Sequence, residues 1–96
     1  MKTVILLKGS NCAPCRMFQP IFDEAVQPYQ RGMHIRQEVD NVELMQKFGV
    51  RTVPSVVLVD EHNGKMDVFH VMTGSGLRKD SVSNALKEFV EDDGSL

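Results

Sequence analysis

The sequence predicts an α/β domain with the element order β-α-β-α-β-β-α and a four-stranded mixed sheet flanked by helices. Short apolar and β-branched runs alternate with segments of helical periodicity, which is typical of βαβ units with parallel strands. Asn63-Gly64 lies between two strand-like runs and predicts a hairpin, which adds an antiparallel pair. The chain of 96 residues is long enough for one compact domain and leaves little for a second.

The first strand and the first helix are predicted on either side of the cysteines. Val4–Leu7 is a continuous apolar run, which favours a strand buried on both faces. From Cys15 onward the apolar residues recur at helical spacing, and Gln27-Pro28 is expected to end the helix. Pro20 lies within this helix and is predicted to kink it. The apolar stripe of the helix consists of Phe18, Ile21, Phe22, Ala25, Val26 and Tyr29.

The remaining elements follow in the second half of the chain. Met33–Val39 alternates weakly and predicts a second strand, and Asp40 with Glu43 predicts a capped short helix that ends at Gly49. Strands are then predicted over 53–59 and 66–72, because β-branched residues are frequent there. A closing amphipathic helix is predicted from the spacing of Val82, Ala85, Leu86, Phe89 and Val90.

Composition and charge narrow the classes of function. The chain is 42% hydrophobic and 25% charged with a formal net charge of −2, and its scattered basic residues favour no nucleic-acid partner. The apolar segment near the N-terminus is too short for a signal peptide or a membrane span. We therefore expect a soluble cytoplasmic monomer with no membrane partner, whose domain covers 1–92 and whose residues 93–96 form a short acidic tail. Four methionines are interpreted as fillers of gaps in the core: Met17, Met45, Met66 and Met72.

Both cysteines lie in the tetrapeptide Cys12-Ala13-Pro14-Cys15, which predicts redox chemistry. The loop between the sulfurs is too short for a disulfide there to stabilise the fold much. Cys12 is expected at the N-terminus of the first helix, where free N–H groups and the helix dipole favour a thiolate. Pro14 suits the first turn of that helix. Cys12 is therefore predicted to attack a substrate disulfide, and Cys15 to resolve the mixed disulfide.

Two other roles for the cysteine pair stay open at this point. The pair could be half of a zinc site, but such a site needs four ligands and His34, His62 and His70 have no paired spacing that completes it. We therefore expect no metal. The cysteines could instead be two small buried hydrophobic residues, although the preceding loop 9–11 argues against deep burial.

The position of Pro54 in a predicted strand requires an explanation, because proline within a sheet is restricted to strand starts, edges and bulges. The simplest interpretation is a proline at the start of the third strand. Alternatively, a cis bond at Val53-Pro54 would turn the backbone of Val53 outward beside the sulfurs, leaving its N–H and C=O free to pair with an extended peptide. Lys8 is either a solvated lysine or a cation that favours the Cys12 thiolate or receives an anionic partner.

The segments Cys12–Pro20 and Phe48–Ser55 resemble the thioredoxin family, including the proline five residues after the second cysteine. The similarity extends over nearly the whole chain. It implies a minimal thioredoxin-like fold, a cis Pro54, and reduction of protein disulfides by the Cys12–Cys15 pair with no other cofactor. On this basis Val53, Pro54 and Gly74 are expected to bind the substrate beside the motif residues Ala13 and Pro14. Lys8 and Asn11 are also expected to contribute to substrate binding, because they lie close to the cysteines in the sequence.

The chain departs from the family pattern at two positions. Asn11 stands where the family usually has tryptophan, and Leu6 aligns with its buried acid, so the redox potential is not predicted. Glutaredoxins share the triplet Thr52-Val53-Pro54 and a basic residue at the place of Lys8, which makes a glutathione-dependent oxidoreductase the alternative. The electron donor is accordingly expected to be either a thioredoxin-reductase-like protein or glutathione. A thioredoxin-like binding module without redox turnover is the third possibility.

Overall fold

The elements follow the predicted order in the computed structural model, which describes residues 1–92. The strands are β1 (Lys2–Lys8), β2 (His34–Val39), β3 (Ser55–His62) and β4 (Lys65–Thr73). The helices are α1 (Ala13–Val26), α2 (Val42–Lys47) and α3 (Lys79–Glu91), and single 3₁₀ turns cover Gln27–Tyr29 and Gly74–Gly76. The predicted acidic tail at 93–96 lies outside the described residues, so the domain boundary stays a prediction.

The four strands form one mixed sheet in the order β2-β1-β3-β4. β1 pairs parallel with β2 and antiparallel with β3, and β3 pairs antiparallel with β4. Asn63 and Gly64 both have positive φ angles, 51° and 76°, as the tight hairpin turn requires. The predicted α/β class and the mixed sheet are confirmed.

The apolar run of β1 serves both faces of the sheet, because successive side chains of a strand point to opposite sides. Val4 and Leu6 belong to the cluster that α1 and α3 cover, whereas Ile5 and Leu7 belong to a smaller cluster beneath α2. All four side chains are at most 1% exposed. Within residues 1–92, none of the helices has the length and hydrophobicity needed to span a bilayer.

Three local expectations were wrong. The N-cap of α2 is Asn41, whose Oδ1 accepts from the Leu44 N–H at 3.0 Å. Asp40 does not cap the helix, and its side chain accepts from the Ser10 N–H. β3 begins at Ser55, so Val53 and Pro54 lie in the loop before it. Val90 is 46% exposed and lies off the buried stripe of α3.

Candidate active site

The tetrapeptide places both sulfurs at the N-terminus of α1. Cys12 is the N-cap residue with extended backbone, and the helix begins at Ala13. Pro14 lies in the first turn, where its missing N–H leaves no helix acceptor unpaired. The Cys15 N–H donates to Cys12 Sγ at 3.1 Å, so one free donor of the helix end is directed at this sulfur. The arrangement favours negative charge on Cys12 over Cys15.

The two cysteines form a disulfide in this structure. Cys12 is 8% exposed and Cys15 is 4% exposed, so both are more buried than the loop before them suggested. Ala13 and Pro14 are exposed between them, and Asn11 is exposed immediately before them. Among residues 1–92, no three histidine, cysteine or acidic side chains come together as a possible metal site.

A second segment reaches the sulfurs from the loop before β3. The Val53–Pro54 peptide bond is cis, and the carbonyl oxygen of Val53 lies 3.8 Å from Cys12 Sγ. The buried Ser55 hydroxyl donates to the Thr52 carbonyl at 2.7 Å, which ties the turn around Val53 together. Gly9 packs closely against Val53, because a Cβ on Gly9 would lie 3.2 Å from Val53 Cγ2.

A groove of about 480 Å³, here called the apolar groove, lies beside Pro14 and the Val53-Pro54 loop. Its walls come from α1, from the loop before β3, from the 3₁₀ turn that contains Gly74 and from Leu77 after that turn. Within residues 1–92, no charged side chain lines it. The lining residues are Pro14, Met17, Phe18, Ile21, Thr52, Val53, Pro54, Gly74 and Leu77.

A second cavity of about 510 Å³, here called the polar cleft, is lined by Cys15 together with Lys8, Arg16, Gln19 and Asp23, among others. Lys8 Nζ donates to Gln19 Oε1 at 3.0 Å and to Gln37 Oε1 at 2.9 Å. Gln19 in turn donates to Asp23 Oδ1 at 2.8 Å. Lys8 is thus held beside the Cys15 side of the pair.

Leu6, which aligns with the buried acid of the thioredoxin pattern, is a core residue in this structure. Leu6 is fully buried in the cluster beneath α1. In the loop before Cys12, the Ser10 N–H donates to Asp40 Oδ1 at 3.0 Å. Hydrogen bonds from the side chain and from the backbone N–H of Ser10 lower the pKa of Asp40 below its ordinary value.

Most residues predicted from the sequence surround the disulfide. Val53, Pro54 and Gly74 line the apolar groove, and Lys8 lines the polar cleft. The interpretation of Met17 as a core filler was wrong, because it is 77% exposed and forms a wall of the groove. Its spacing of four residues from Ile21 on α1 was the signal that could have revealed a shared face.

A comparison with protein families agrees with this geometry. The family model described as Thioredoxin matches residues 2–88. The chain belongs to the thioredoxin family. A thioredoxin of Mycoplasmoides gallisepticum is 29% identical over 66 residues, which cover 68% of this chain and 64% of the relative. A rice H-type thioredoxin is 26% identical over 91 residues, which cover 93% of this chain and 70% of the relative.

Solved thioredoxin structures share the fold. The Trypanosoma brucei brucei thioredoxin superposes with a TM-score of 0.74 at 17% identity, covering 96% of this chain and 77% of the other. Spinach chloroplast thioredoxin f superposes with a TM-score of 0.72 at 20% identity, covering 93% and 76%. Among the curated relatives, the matches span 64% of the mycoplasma protein and 50% of the Pseudomonas aeruginosa thioredoxin. The likeness to solved structures thus establishes the fold of this thioredoxin-family chain.

Proposed function

We propose that this protein is a thiol–disulfide oxidoreductase that reduces disulfides of protein substrates, with Cys12 attacking and Cys15 resolving. The observation that carries this proposal is the hydrogen bond from the Cys15 N–H to Cys12 Sγ at the N-terminus of α1. A thiolate on Cys12 keeps this donor and the positive end of the helix dipole. Cys15 lies inside the first turn, where it can attack a mixed disulfide formed at Cys12.

The proposed reaction transfers two electrons from the protein dithiol to the substrate. The Cys12 thiolate attacks one substrate sulfur, so the Cys12–substrate bond forms and the substrate disulfide breaks, releasing one substrate thiolate. The Cys15 thiol then loses its proton and attacks Cys12 Sγ, which closes the Cys12–Cys15 disulfide and releases the second thiolate. The two protons of the protein dithiol balance the two thiols of the product. An external dithiol or two molecules of a monothiol then restore the reduced pair.

The substrate is proposed to dock across the sulfurs at Val53, Pro54 and Gly74. The Val53 carbonyl, 3.8 Å from Cys12 Sγ, supports this, because an extended peptide can pair with such a backbone group. Asn11 and Lys8 complete the proposed surface. The Cys12–Cys15 pair is the redox group in this proposal, and no further cofactor is assigned to it. A reducing compartment such as the cytoplasm fits a monomeric reductase, since thiols are kept reduced there.

Substitution of each cysteine tests the assigned roles. In Cys12→Ser, we expect reduction of insulin by dithiothreitol to show no acceleration over the uncatalysed rate. In Cys15→Ser, Cys12 still attacks but the mixed disulfide cannot be resolved, so we expect covalent substrate adducts on a non-reducing gel. Each variant is the other's control, because both replace one sulfur by oxygen. Equal residual activity, or adducts in both variants, would contradict the roles.

A glutathione-dependent oxidoreductase is the second candidate, and the polar cleft favours it. Lys8 and Arg16 line this cleft beside Cys15, and such cations could receive the carboxylates of glutathione. Supplying either NADPH with thioredoxin reductase or glutathione, and following thiol labelling of the pair, separates the two donors. A protein that neither donor reduces, and that does not accelerate insulin reduction, would instead be a binding module.

A further inference from the structure

We propose that the ammonium group of Lys8 stabilises the thiolate of Cys15 and thereby speeds the step in which Cys15 resolves the mixed disulfide. This inference rests on the proposed reductase function and assigns a further residue to its second step. It holds for either electron donor, because both donors act on the disulfide that this step produces.

Cys15 must lose its proton in a buried position. It is 4% exposed, and its own N–H donates to the sulfur of Cys12. Leu6, in the core cluster beneath α1, provides no ionisable group. Because burial disfavours the charged form of a thiol, the Cys15 thiolate forms less readily than one in water. A cation near Cys15 would therefore speed the resolving step.

The charged residues that line the polar cleft with Cys15 come from two elements. They are Lys8 of β1 together with Arg16 and Asp23 of α1. Asp23 follows Cys15 by eight residues, which is about 12 Å along the helix axis. The lining residue from β2 is the uncharged Val39, and Asp40 after it accepts a hydrogen bond from the loop before Cys12. The charges closest to Cys15 along the chain and across the cleft are therefore cations.

Lys8 is fixed in this cleft by uncharged hydrogen-bond acceptors. Its Nζ donates to Gln19 Oε1 at 3.0 Å and to Gln37 Oε1 at 2.9 Å. Gln19 lies one helical turn after Cys15, so the two side chains are neighbours on the same face of α1. Both acceptors are amide oxygens, which hold the ammonium group without cancelling its charge. Arg16, by contrast, is exposed.

The resolving step balances without an added oxidant. The Cys15 thiol releases its proton to water, and the thiolate attacks Cys12 Sγ. The Cys12–Cys15 bond forms as the bond between Cys12 and the substrate breaks, and the substrate sulfur leaves with the electron pair and takes up a proton. Lys8 keeps its own proton throughout and acts through its charge, which favours the ionised form of the nearby thiol.

The small disulfide 4,4′-dithiodipyridine separates the two steps in a stopped-flow experiment. Reduced protein is mixed with a small excess of this reagent, and each step releases one absorbing thiopyridone. The first phase depends on the reagent concentration and reports attack by Cys12. The second phase is independent of that concentration and reports resolution by Cys15. The reagent has no carboxylate, so it forms no ion pair with Lys8.

Lys8→Met removes the charge and keeps an unbranched side chain. We expect its second phase to slow by about threefold to tenfold at pH 7, and the pH midpoint of that phase to rise. The rates of wild type and variant are expected to converge at alkaline pH, where Cys15 is ionised in both. Lys8→Arg is expected to restore most of the rate, because it restores the positive charge.

Two further variants sharpen the test. Gln19→Glu places a carboxylate against Lys8 and is expected to slow the second phase in the same way. Lys65→Met is the matched control with wild-type rates, because Lys65 is an exposed lysine in the hairpin, at the far end of β3 from the site. No slowing in Lys8→Met, or the same slowing at every pH, would overturn the proposal and leave the reductase function standing. A wild-type protein without a second phase would refute the resolving role of Cys15, and this inference with it.

Discussion

At the residue scale, Gly9 allows the loop that contains Val53 to pack closely against the segment that contains Cys12. A Cβ on Gly9 would lie 3.2 Å from Val53 Cγ2 and 3.4 Å from Cys12 Cβ, and the first of these distances is tighter than ordinary van der Waals contact. The residue precedes the tetrapeptide, whereas Val53 belongs to the loop before β3. The need for glycine here therefore arises from a contact between distant parts of the chain.

Gly9→Ala is accordingly expected to push the Val53 loop away from Cys12 by a few tenths of an ångström. We expect kcat/KM for insulin reduction to fall by about threefold to tenfold, since reactions at positioned groups are sensitive to small displacements. The control is Gly32→Ala, because a Cβ on Gly32 meets nothing within 4 Å. Wild-type activity in Gly9→Ala, with an unchanged melting temperature, would contradict the prediction.

At the element scale, Asp40 and Asn41 divide two tasks at the end of β2. Asn41 caps α2, and Asp40 accepts from the Ser10 N–H at 3.0 Å in the loop that leads to Cys12. Asp40 also donates its own N–H to the Lys8 carbonyl at 2.9 Å and has a φ of +53°. Aspartate and asparagine tolerate this left-handed conformation better than most residues. Asp40 therefore joins β2 to the active-site loop.

The hydrogen bonds from Ser10 make this junction sensitive to pH. They lower the pKa of Asp40 below its ordinary value of 3.8, so the folded state favours the carboxylate. The resulting stabilisation is present above that value and is lost as the pH falls through the lower pKa of the folded state. In urea unfolding, Asp40→Asn is expected to be less stable than wild type near pH 7, and the difference is expected to shrink below about pH 3.8. A difference independent of pH would contradict this account.

At the scale of the whole molecule, two central strands carry the fold. β1 and β3 each pair with a neighbour on both sides, and apolar side chains of both strands are fully buried on both faces. β2 and β4 are edge strands with several exposed side chains. The loops that form the site follow or precede the central strands: the tetrapeptide follows β1, and Val53-Pro54 precedes β3. The site segments are thus attached to the two central strands of the sheet.

Hydrogen exchange measured by NMR checks this arrangement. Amides of β1 and β3 are expected to exchange only through global unfolding, whereas those of β2 and β4 are expected to exchange faster through local opening. The comparison uses amides that are hydrogen-bonded within the sheet in every strand. Exchange in β2 or β4 as slow as in β1 would show that the edges are as stable as the centre.

Periodicity predicted most of the fold, because it reports which side chains each element must bury. The apolar run of β1, the stripe of α1 and the Asn63-Gly64 turn were each sufficient to place their element. The cap of α2 was misassigned because Asp40 and Asn41 are both good N-caps. Which one caps depended on Ser10, a partner thirty residues earlier in the chain.

The sequence by itself determined the redox pair and its asymmetry, because the helix start after Cys12 is a local property of the chain. Only the tertiary structure decided what surrounds that pair. It brought the Val53 carbonyl to Cys12, placed Lys8 against Gln19 and Gln37, and left Met17 exposed in a groove wall. These contacts join residues from different elements, and their geometry depends on how the sheet and helices pack. Sequence patterns report on neighbouring residues, so they do not give the distances between residues of different elements.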